Sequence, residues 1–357
     1  MPASTTTALR PPPPVTPEVQ QRASELISYM STLPQYAIRA VATLHVADLV
    51  AAGVTDSDEL AERCDVRPEA LRRVLHYLAV RGFFVEVAPT RFTLSPLGEL
   101  LRDDHPLGLR PHFDLEGVTH RMEQAYAHLM TSLRTGGPAY RVAHGTDLYD
   151  DVEDDPARTA AFTDQMSSRA EPSARALADL PLWSEVREVV DVGGGDGAHL
   201  THLLTRHGHL RGTLVDLPGT AARAAARFAA AGLGARALTA PGSFFAELPG
   251  GRDVYLLASI LLDWPDEDAG RVLRRCADAC TPGSRVLALD WLRVPGANPV
   301  VTSHVDVHEM VLVGGRVRTA EEVGALAAQA GLRLVSSEPC GQGTTLAVLA
   351  PASDGAA

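Results

Sequence analysis

The run Val189-Val190-Asp191-Val192-Gly193-Gly194-Gly195-Asp196-Gly197-Ala198-His199-Leu200 constrains the fold more than any other stretch of the chain. A short apolar segment ends at an acid, breaks into glycines, and resumes with helical spacing through His199, Leu200, His202, Leu203 and Leu204. That pattern reads as strand, tight turn, helix. Glycine is needed where the backbone takes positive φ and where a ligand must approach the main chain with no Cβ in the way. The free N–H groups at the start of the following helix face such a ligand. The turn is therefore a candidate nucleotide-cofactor site.

Gly193, Gly195 and Ala198 satisfy the G-x-G-x-x-A form of a dinucleotide turn, so the glycines alone leave two cofactors open, a dinucleotide and S-adenosylmethionine. Asp191 shifts the balance, because a carboxylate before the turn suits the ammonium of S-adenosylmethionine and repels a pyrophosphate. A second strand, Thr213-Leu214-Val215, ends at Asp216, where a carboxylate accepting from ribose hydroxyls is expected. From Val186 onward strands and helices alternate: Val189 to Val192, a helix from Thr220 to Gly232, Ala235 to Ala240, Val254 to Leu257, a helix from Asp266 to Cys280, and Val286 to Asp290. This predicts an α/β domain, a parallel sheet with helices on both faces and ligands at the carboxyl ends of the strands. Asp191, Asp216, Ser259 and Asp263 fall at or just beyond such ends.

Upstream, residues 17–53 predict two helices. The second carries Ile38, Val41, Leu44, Val46, Leu49 and Val50, apolar nearly all round, as at a subunit contact. Residues 55–101 read as a winged helix: Thr55 to Leu60 cap one helix, Arg67 to Arg81 form a second, and Phe83 to Val87 pair with Arg91 to Leu94. Acids outnumber bases across it, which favours dimerisation over DNA. From about Pro106 to Leu182 helices are joined by polar loops, and Met122, Tyr126, Met130, Phe162 and Met166 sit at helical spacing. They suit core packing and the apolar wall of a flat-ligand pocket equally well. The expected organisation is a disordered tail at 1–16, a mainly α winged-helix dimerisation domain at 17–105, a helical linker and substrate-pocket region at 106–182, and a Rossmann-like cofactor domain at 183–350.

The formal charge of −12 argues against nucleic acid as a partner. The chain contains no lysine, which excludes Schiff-base chemistry and P-loop phosphate transfer. No apolar run reaches membrane-spanning length, and the proline-rich start, with Pro11 to Pro14, lacks the apolar region of a secretory signal. A cytoplasmic protein without membrane partners is expected. Cys64, Cys276, Cys280 and Cys340 are scattered and read as buried thiols, Cys276 and Cys280 on one helix face without a third ligand.

With these residues in place, the chain from about Val15 to Leu349 resembles the S-adenosylmethionine-dependent small-molecule O-methyltransferases that carry an N-terminal winged-helix dimerisation domain. The resemblance lies in Asp191 to Gly197, Gly212 to Pro218, Gly242-Ser243-Phe244-Phe245, Leu262-Asp263-Trp264-Pro265-Asp266-Glu267-Asp268-Ala269, and Gly314-Gly315-Arg316-Val317-Arg318-Thr319. It is nearest to the bacterial anthracycline-type polyketide-tailoring branch, which includes a hydroxylase relative. The resemblance implies a Rossmann-like class I methyltransferase domain, a homodimer formed through the N-terminal domain, and a small aromatic or polycyclic acceptor. It places Gly193, Gly195 and neighbouring Asp191 against the methionine part, Asp216 and Leu217 at the ribose, Ser243 and Phe244 beside the adenine, Ser259 near the carboxylate, and Trp264 on the pocket flank.

Two departures stand out. The family has Gly-Asp-Phe where this chain has Gly242-Ser243-Phe244, so the adenine contact loses a charge. The family's His-Asp-Trp, whose histidine removes the acceptor proton, is here Leu262-Asp263-Trp264, and leucine takes no proton. Candidate substitutes are Asp263 and His308, with proximity to the sulfonium methyl supplying much of the rate. His304 and His308 lie one helical turn apart, as a metal pair would, but nothing supplies a third ligand and no metal is expected. The resemblance puts them on a helix lining the acceptor pocket beside Glu309, which suggests a polar or cationic group on the acceptor. Met122, Tyr126, Phe162, Met166, His304 and Glu309 are the expected substrate residues. The expected reaction is methyl transfer to a hydroxyl of an aromatic or polycyclic secondary metabolite. The alternative keeps the cofactor as a fixed positive charge that assists hydroxylation, decarboxylation or rearrangement. A ligand-sensing regulator is the third reading, disfavoured by the acidic winged helix.

Overall fold

The computed structural model describes residues 15–341 and 343–352, so nearly all of the tail expected at 1–16 lies outside the described residues. The chain divides into two compact units, Met1–His120 and Arg121–Ala357.

In the first unit, helices Ser57–Arg63 and Pro68–Ala79 are followed by an antiparallel hairpin, β1 (Phe84–Ala88) and β2 (Arg91–Leu94). Asp56 starts the first of these helices by accepting from the amides of Asp58 and Glu59, the side-chain capping that an orphan helix N-terminus requires. Leu60, Leu75, Leu78, Phe84 and Phe92 fill the core between helices and hairpin. The apolar stretch expected as one helix after residue 32 is two, Leu33–Thr43 and Val46–Ala51. They part at His45, whose φ of 51° is left-handed and cannot continue a right-handed helix. Helix Pro17–Ser28 buries none of its residues.

The second unit is built on seven strands in the order β5-β4-β3-β6-β7-β9-β8. They are β3 (Glu188–Val192), β4 (Arg211–Asp216), β5 (Ala237–Pro241), β6 (Val254–Ala258), β7 (Arg285–Asp290), β8 (Leu332–Pro339) and β9 (Thr345–Pro351). Strands β3 to β7 are mutually parallel. The parallel arrangement expected from the alternation through Asp290 holds for these strands, and beyond them β9 lies antiparallel between β7 and β8. Two segments with no intervening helix can pair only as a hairpin, and a hairpin reverses direction.

Side chains alternate across the sheet with the period of two that a pleated strand imposes. Val190, Val192, Tyr255 and Leu257 pack on one face with helices Asp266–Ala279 and Ala320–Gln329. Val189, Leu214, Leu256 and Leu287 pack on the other with helices Ala198–Arg206 and Pro218–Ala230 and the end of helix Pro156–Ala178. A smaller cluster, including Met122, Tyr140, Leu148, Val311 and Leu312, joins helix Pro299–Leu312 to the helices before the sheet. Because β3 is flanked by β4 on one side and β6 on the other, the crossovers diverge there and leave a crevice at its carboxyl end.

Trp183 is fully enclosed in the second face, and its Nε1 donates to the carbonyl of Leu177 at 2.7 Å. Trp183→Ala should lower the unfolding free energy by about 3–5 kcal/mol, read from urea titration followed by circular dichroism, because it opens a cavity and removes that hydrogen bond.

Candidate functional site

The cradle forms where β3 ends. Gly193, Gly195 and Gly197 have φ of 71°, 60° and 81°, the left-handed region that lets the chain turn sharply from strand into helix Ala198–Arg206. Gly194 is required for a different reason: a Cβ there would stand 2.5 Å from Cγ of Asp191. Asp191 has no accessible surface, and neither carboxylate oxygen has a hydrogen-bond partner among the described residues. Burial, then the charges of Asp216 and Asp196, push its pKa up to about 7. Asp191 therefore acts on the turn from beneath, through its field and the closeness it permits, with no surface offered to a ligand.

Asp216 ends β4 and grips the turn. Its Oδ2 accepts from the Gly195 amide at 2.9 Å and its Oδ1 from the Leu217 amide at 2.7 Å. A carboxylate has lone pairs beyond these two bonds, and those remain for hydroxyl donors. Ser243, beyond β5, is exposed and accepts from the amide of Phe245, while the Phe244 ring lies against Gly193. Ser259, just past β6, is one of the few non-glycine residues with positive φ, at 55°. Strain of this kind clusters at functional sites.

Next to the cradle stands an aromatic wall. The Trp264 ring meets Phe244 at 6.0 Å and Phe245 at 4.9 Å, both edge-on, and stacks within 21° of Tyr149 at 6.4 Å. Phe162 meets Tyr149 edge-on at 6.4 Å. The Tyr149 hydroxyl donates to Oδ2 of Asp263 at 2.5 Å. Burial raises the Asp263 carboxyl to about 7 although the tyrosine bond pulls the other way. Asp263 keeps some accessible surface, but protein crowds it on enough sides that lost hydration dominates.

The loop that carries Asp263 is held from behind. A Cβ on Gly315 would overlap the Leu262 carbonyl, and the Arg316 amide donates to that same oxygen at 2.8 Å. Arg318, only 2% exposed, donates to the carbonyls of Leu261 at 2.5 Å and Trp264 at 2.8 Å and to Asp266.

Helix Pro299–Leu312 brings His304, His308 and Glu309 to the neighbourhood. His308 Nδ1 lies 2.5 Å from the Tyr126 hydroxyl, and burial, with Arg169 and His304 nearby, lowers the imidazole to about 4. At neutral pH the ring is uncharged, with one nitrogen engaged. His304 is exposed and stacks on His308 at 6.1 Å. Glu309 is pushed well above the ordinary carboxylate range by burial and by Asp263, against the pull of Arg169. Among the expected pocket residues, Tyr126, Phe162 and Met166 keep accessible surface, whereas Met122, 2% exposed, packs into the core beneath, and Met130 points to solvent. Cys64 and Cys280 are half-buried, so only Cys276 and Cys340 match the expected burial.

Sequence reading did not single out Tyr149, Arg169 or Asp290. Asp290 ends β7 as Asp191 and Asp216 interrupt or end theirs, which was a usable signal. It is buried, its Oδ1 has no partner, and its pKa is driven well up by burial and by Asp263. Tyr149 and Arg169 belong to no motif.

The residues at the cradle fit S-adenosylmethionine on these observations: left-handed glycines, a gripping carboxylate with spare lone pairs, and aromatic rings beside them. The family described as the O-methyltransferase domain matches residues 126–333. Aclacinomycin 10-hydroxylase RdmB of Streptomyces purpurascens is 42% identical over 312 residues, covering 86% of this chain and 83% of its own. The 2,7-dihydroxy-5-methyl-1-naphthoate 7-O-methyltransferase of Streptomyces carzinostaticus is 39% identical over 303 residues, 85% of this chain and 90% of its own. The crystal structure of the neocarzinostatin-biosynthesis O-methyltransferase NcsB1 with S-adenosylmethionine and 2-hydroxy-5-methyl naphthoic acid superposes with a TM-score of 0.85 at 36% identity, covering 91% of this chain and 98% of that one.

A carboxyl whose folded pKa exceeds its unfolded value holds a proton that the unfolded chain releases. Its contribution to stability is complete below the unfolded value of 3.8 and is lost as pH rises through about 7. Asp263→Asn should therefore make the decline in urea midpoint from about pH 4 to about pH 7 shallower than in the parent chain. An unchanged slope would mean that Asp263 ionises as an ordinary carboxylate.

Proposed function

The chain belongs to the O-methyltransferase domain family, and from that premise we propose how its own residues carry out methyl transfer to the hydroxyl of an aromatic, polyketide-type acceptor. It is an S-adenosylmethionine-dependent methyltransferase with a class I fold, and its solved relative holds that cofactor and a naphthoic acid. Gly193, Gly195, Asp216, Leu217, Ser243, Phe244, Ser259 and Trp264 hold the cofactor, with Asp191 shaping the turn from below. Bound there, S-adenosylmethionine supplies an electrophilic methyl group.

The observation that carries the mechanism is the Asp263 carboxyl, raised to about 7 and fixed by Tyr149 beside the cradle. A group with a pKa near neutrality is matched to accepting the proton of an acceptor hydroxyl. Tyr149 donates to one Asp263 oxygen and leaves the other for that hydroxyl. His308, with its pKa near 4 and one nitrogen engaged by Tyr126, suits a substrate contact better than a base. Tyr126, Phe162, Met166, His304 and Glu309 complete the acceptor side. Most of the rate comes from holding the acceptor in line while the aromatic wall excludes water.

Purified protein incubated with methyl-labelled S-adenosylmethionine and a panel of polyketide phenols should yield labelled product and S-adenosylhomocysteine. Asp263→Ala and His308→Ala should each slow turnover by about tenfold or more while cofactor affinity stays within about twofold. The hydroxylase relative favours a second reading, in which the sulfonium only stabilises negative charge on the substrate. Substrate conversion with the label still on the cofactor would establish that reading instead.

The reading extends to a cytoplasmic homodimer. All four cysteines are free thiols, as a reducing compartment keeps them. Leu26, Ile27, Tyr29, Met30 and Leu33 are exposed along and after a helix that buries nothing within its own chain, and an apolar surface like this suits a second copy. No helix among the described residues is long and apolar enough to cross a membrane. Sedimentation should give a dimer mass, and Leu26→Asp with Ile27→Asp should shift it to the monomer at micromolar concentration.

A further inference from the structure

Tyr149, which donates to Asp263, is carried by helix Leu148–Glu153, and that helix has only 6 residues. A helix so short does not keep its shape in water and must be fixed by its surroundings. Leu148 and Val152 are buried in the cluster with Met122, Tyr140 and Leu312, which sets how deep the helix sits. Apolar burial is non-directional, so it sets depth better than rotation. The rings beside Tyr149 add little direction, because Trp264 and Phe162 both lie 6.4 Å away, towards the far end of the aromatic range.

Direction comes from Asp151. Residues two apart on a helix point about 200° from one another, so with Tyr149 turned to Asp263 this carboxylate is turned away from it. Asp151 is 5% exposed. Its Oδ2 accepts from Arg121 Nε at 2.6 Å and from the Tyr140 hydroxyl at 2.7 Å. Its Oδ1 accepts from Arg121 Nη2 at 2.7 Å and pairs with Arg158 Nη1 at 2.8 Å. Arg158 also donates to the Asp151 carbonyl, and it stands one turn before Phe162, whose ring meets Tyr149. Hydrogen bonding from Arg121 holds the Asp151 carboxyl at about 2 against the cost of burial, so it is charged at neutral pH. A two-pronged guanidinium–carboxylate pair fixes angle as well as distance.

We infer that Asp151 is a positioning residue for the reaction: its anchorage to Arg121, Arg158 and Tyr140 sets the rotation of helix Leu148–Glu153 and so aims the Tyr149 hydroxyl at Asp263. The inference rests on the proposed role of Asp263 for its bearing on methyl transfer, and on bonds within the fold for the rest. Tyr149, Glu309 and Asp290 are the titratable groups that face Asp263 from the neighbouring elements. An ionised Glu309 or Asp290 disfavours the Asp263 carboxylate, whereas the Tyr149 hydrogen bond favours it. Slackening the anchor therefore raises the pH at which Asp263 ionises.

The test reads Asp263 directly, by NMR titration of full-length protein carrying isotope-labelled aspartate and bound S-adenosylhomocysteine. The resonance is identified by its loss in Asp263→Asn. Tyr149→Phe should raise the midpoint by about one pH unit, as the loss of one hydrogen bond to a charged group predicts. Asp151→Asn and Arg121→Gln should each raise it by about half a unit or more, and Asp151→Asn added to Tyr149→Phe should move it no further. A midpoint indifferent to Asp151→Asn and Arg121→Gln, no shift in Tyr149→Phe, or shifts that add in the double variant would overturn the inference. Unchanged S-adenosylhomocysteine affinity in either anchor variant certifies its fold. Loss of that affinity in both would make Asp151 a prop of the whole domain and overturn the assignment as well. Labelled methyl transfer on the same samples separates this inference from the reading beneath it. Midpoint shifts alongside transfer that is indifferent to Asp263→Asn sink the role of Asp263 as base alone. Transfer that needs Asp263, with a midpoint indifferent to the anchor, sinks the positioning role alone.

Discussion

Backbone brought closer than a side chain would allow is the constraint on which the rest of this structure depends. At Gly194 the turn lies so tightly over the buried carboxylate of Asp191 that a methyl group would collide with it. At Gly315 the chain lies against the carbonyl of Leu262 with equal intimacy. The first contact shapes the cradle and the second fixes the loop that carries Asp263. Both are steric, so both are insensitive to salt and pH, unlike the charges they position. The Gly314 to Thr319 motif thereby acquires a physical meaning: Gly315, Arg316 and Arg318 together clamp the segment from Leu261 to Asp266 through its carbonyl oxygens and Asp266.

Around these fixed points the electrostatics are lopsided. Asp191, Asp263, Asp290 and Glu309 are all crowded out of water, and burial drives each towards its neutral form; Asp263 adds to the effect at Asp290 and Glu309, and Asp290 adds to it at Glu309. Like charges cannot all ionise in a poorly solvated region, so the site stores protons. Arg318 offsets some of this, but its donors are spent on the loop carbonyls and Asp266. Under the proposed mechanism this gives Asp263 the strength of a moderate base, suited to a phenol that is itself moderately acidic. Under that proposal Asp263 takes the part of the histidine that Leu262 replaces.

The cradle was readable in the sequence because its determinants are local. An apolar strand, an acid and glycines within a dozen residues specify the turn, and Asp216 follows at the end of the next strand. The acceptor side was less readable because its contacts are long-range. Tyr149 meets Asp263 across 114 residues, and no pattern near Tyr149 announces it. Asp290 was missed despite sharing its strand-end position with Asp216. The apolar run after residue 32 concealed a helix break, since His45 carries no glycine or proline signal. The antiparallel reversal of β8 and β9 lies beyond the alternation read from Val186 to Asp290, so that pattern carried no expectation for it.

That reversal has a consequence for how the chain is made. The strand that pairs with β7 is β9, which ends at Pro351, and β8 pairs only with β9. During synthesis the parallel strands can associate as they emerge, but one flank of β7 waits with its peptide groups unsatisfied until residues near 351 have cleared the ribosome. Such an open flank invites a neighbouring nascent chain to add a strand of its own. Chaperone demand should thus peak late in translation, and a ribosome stalled shortly before that point would release a sticky, half-closed sheet.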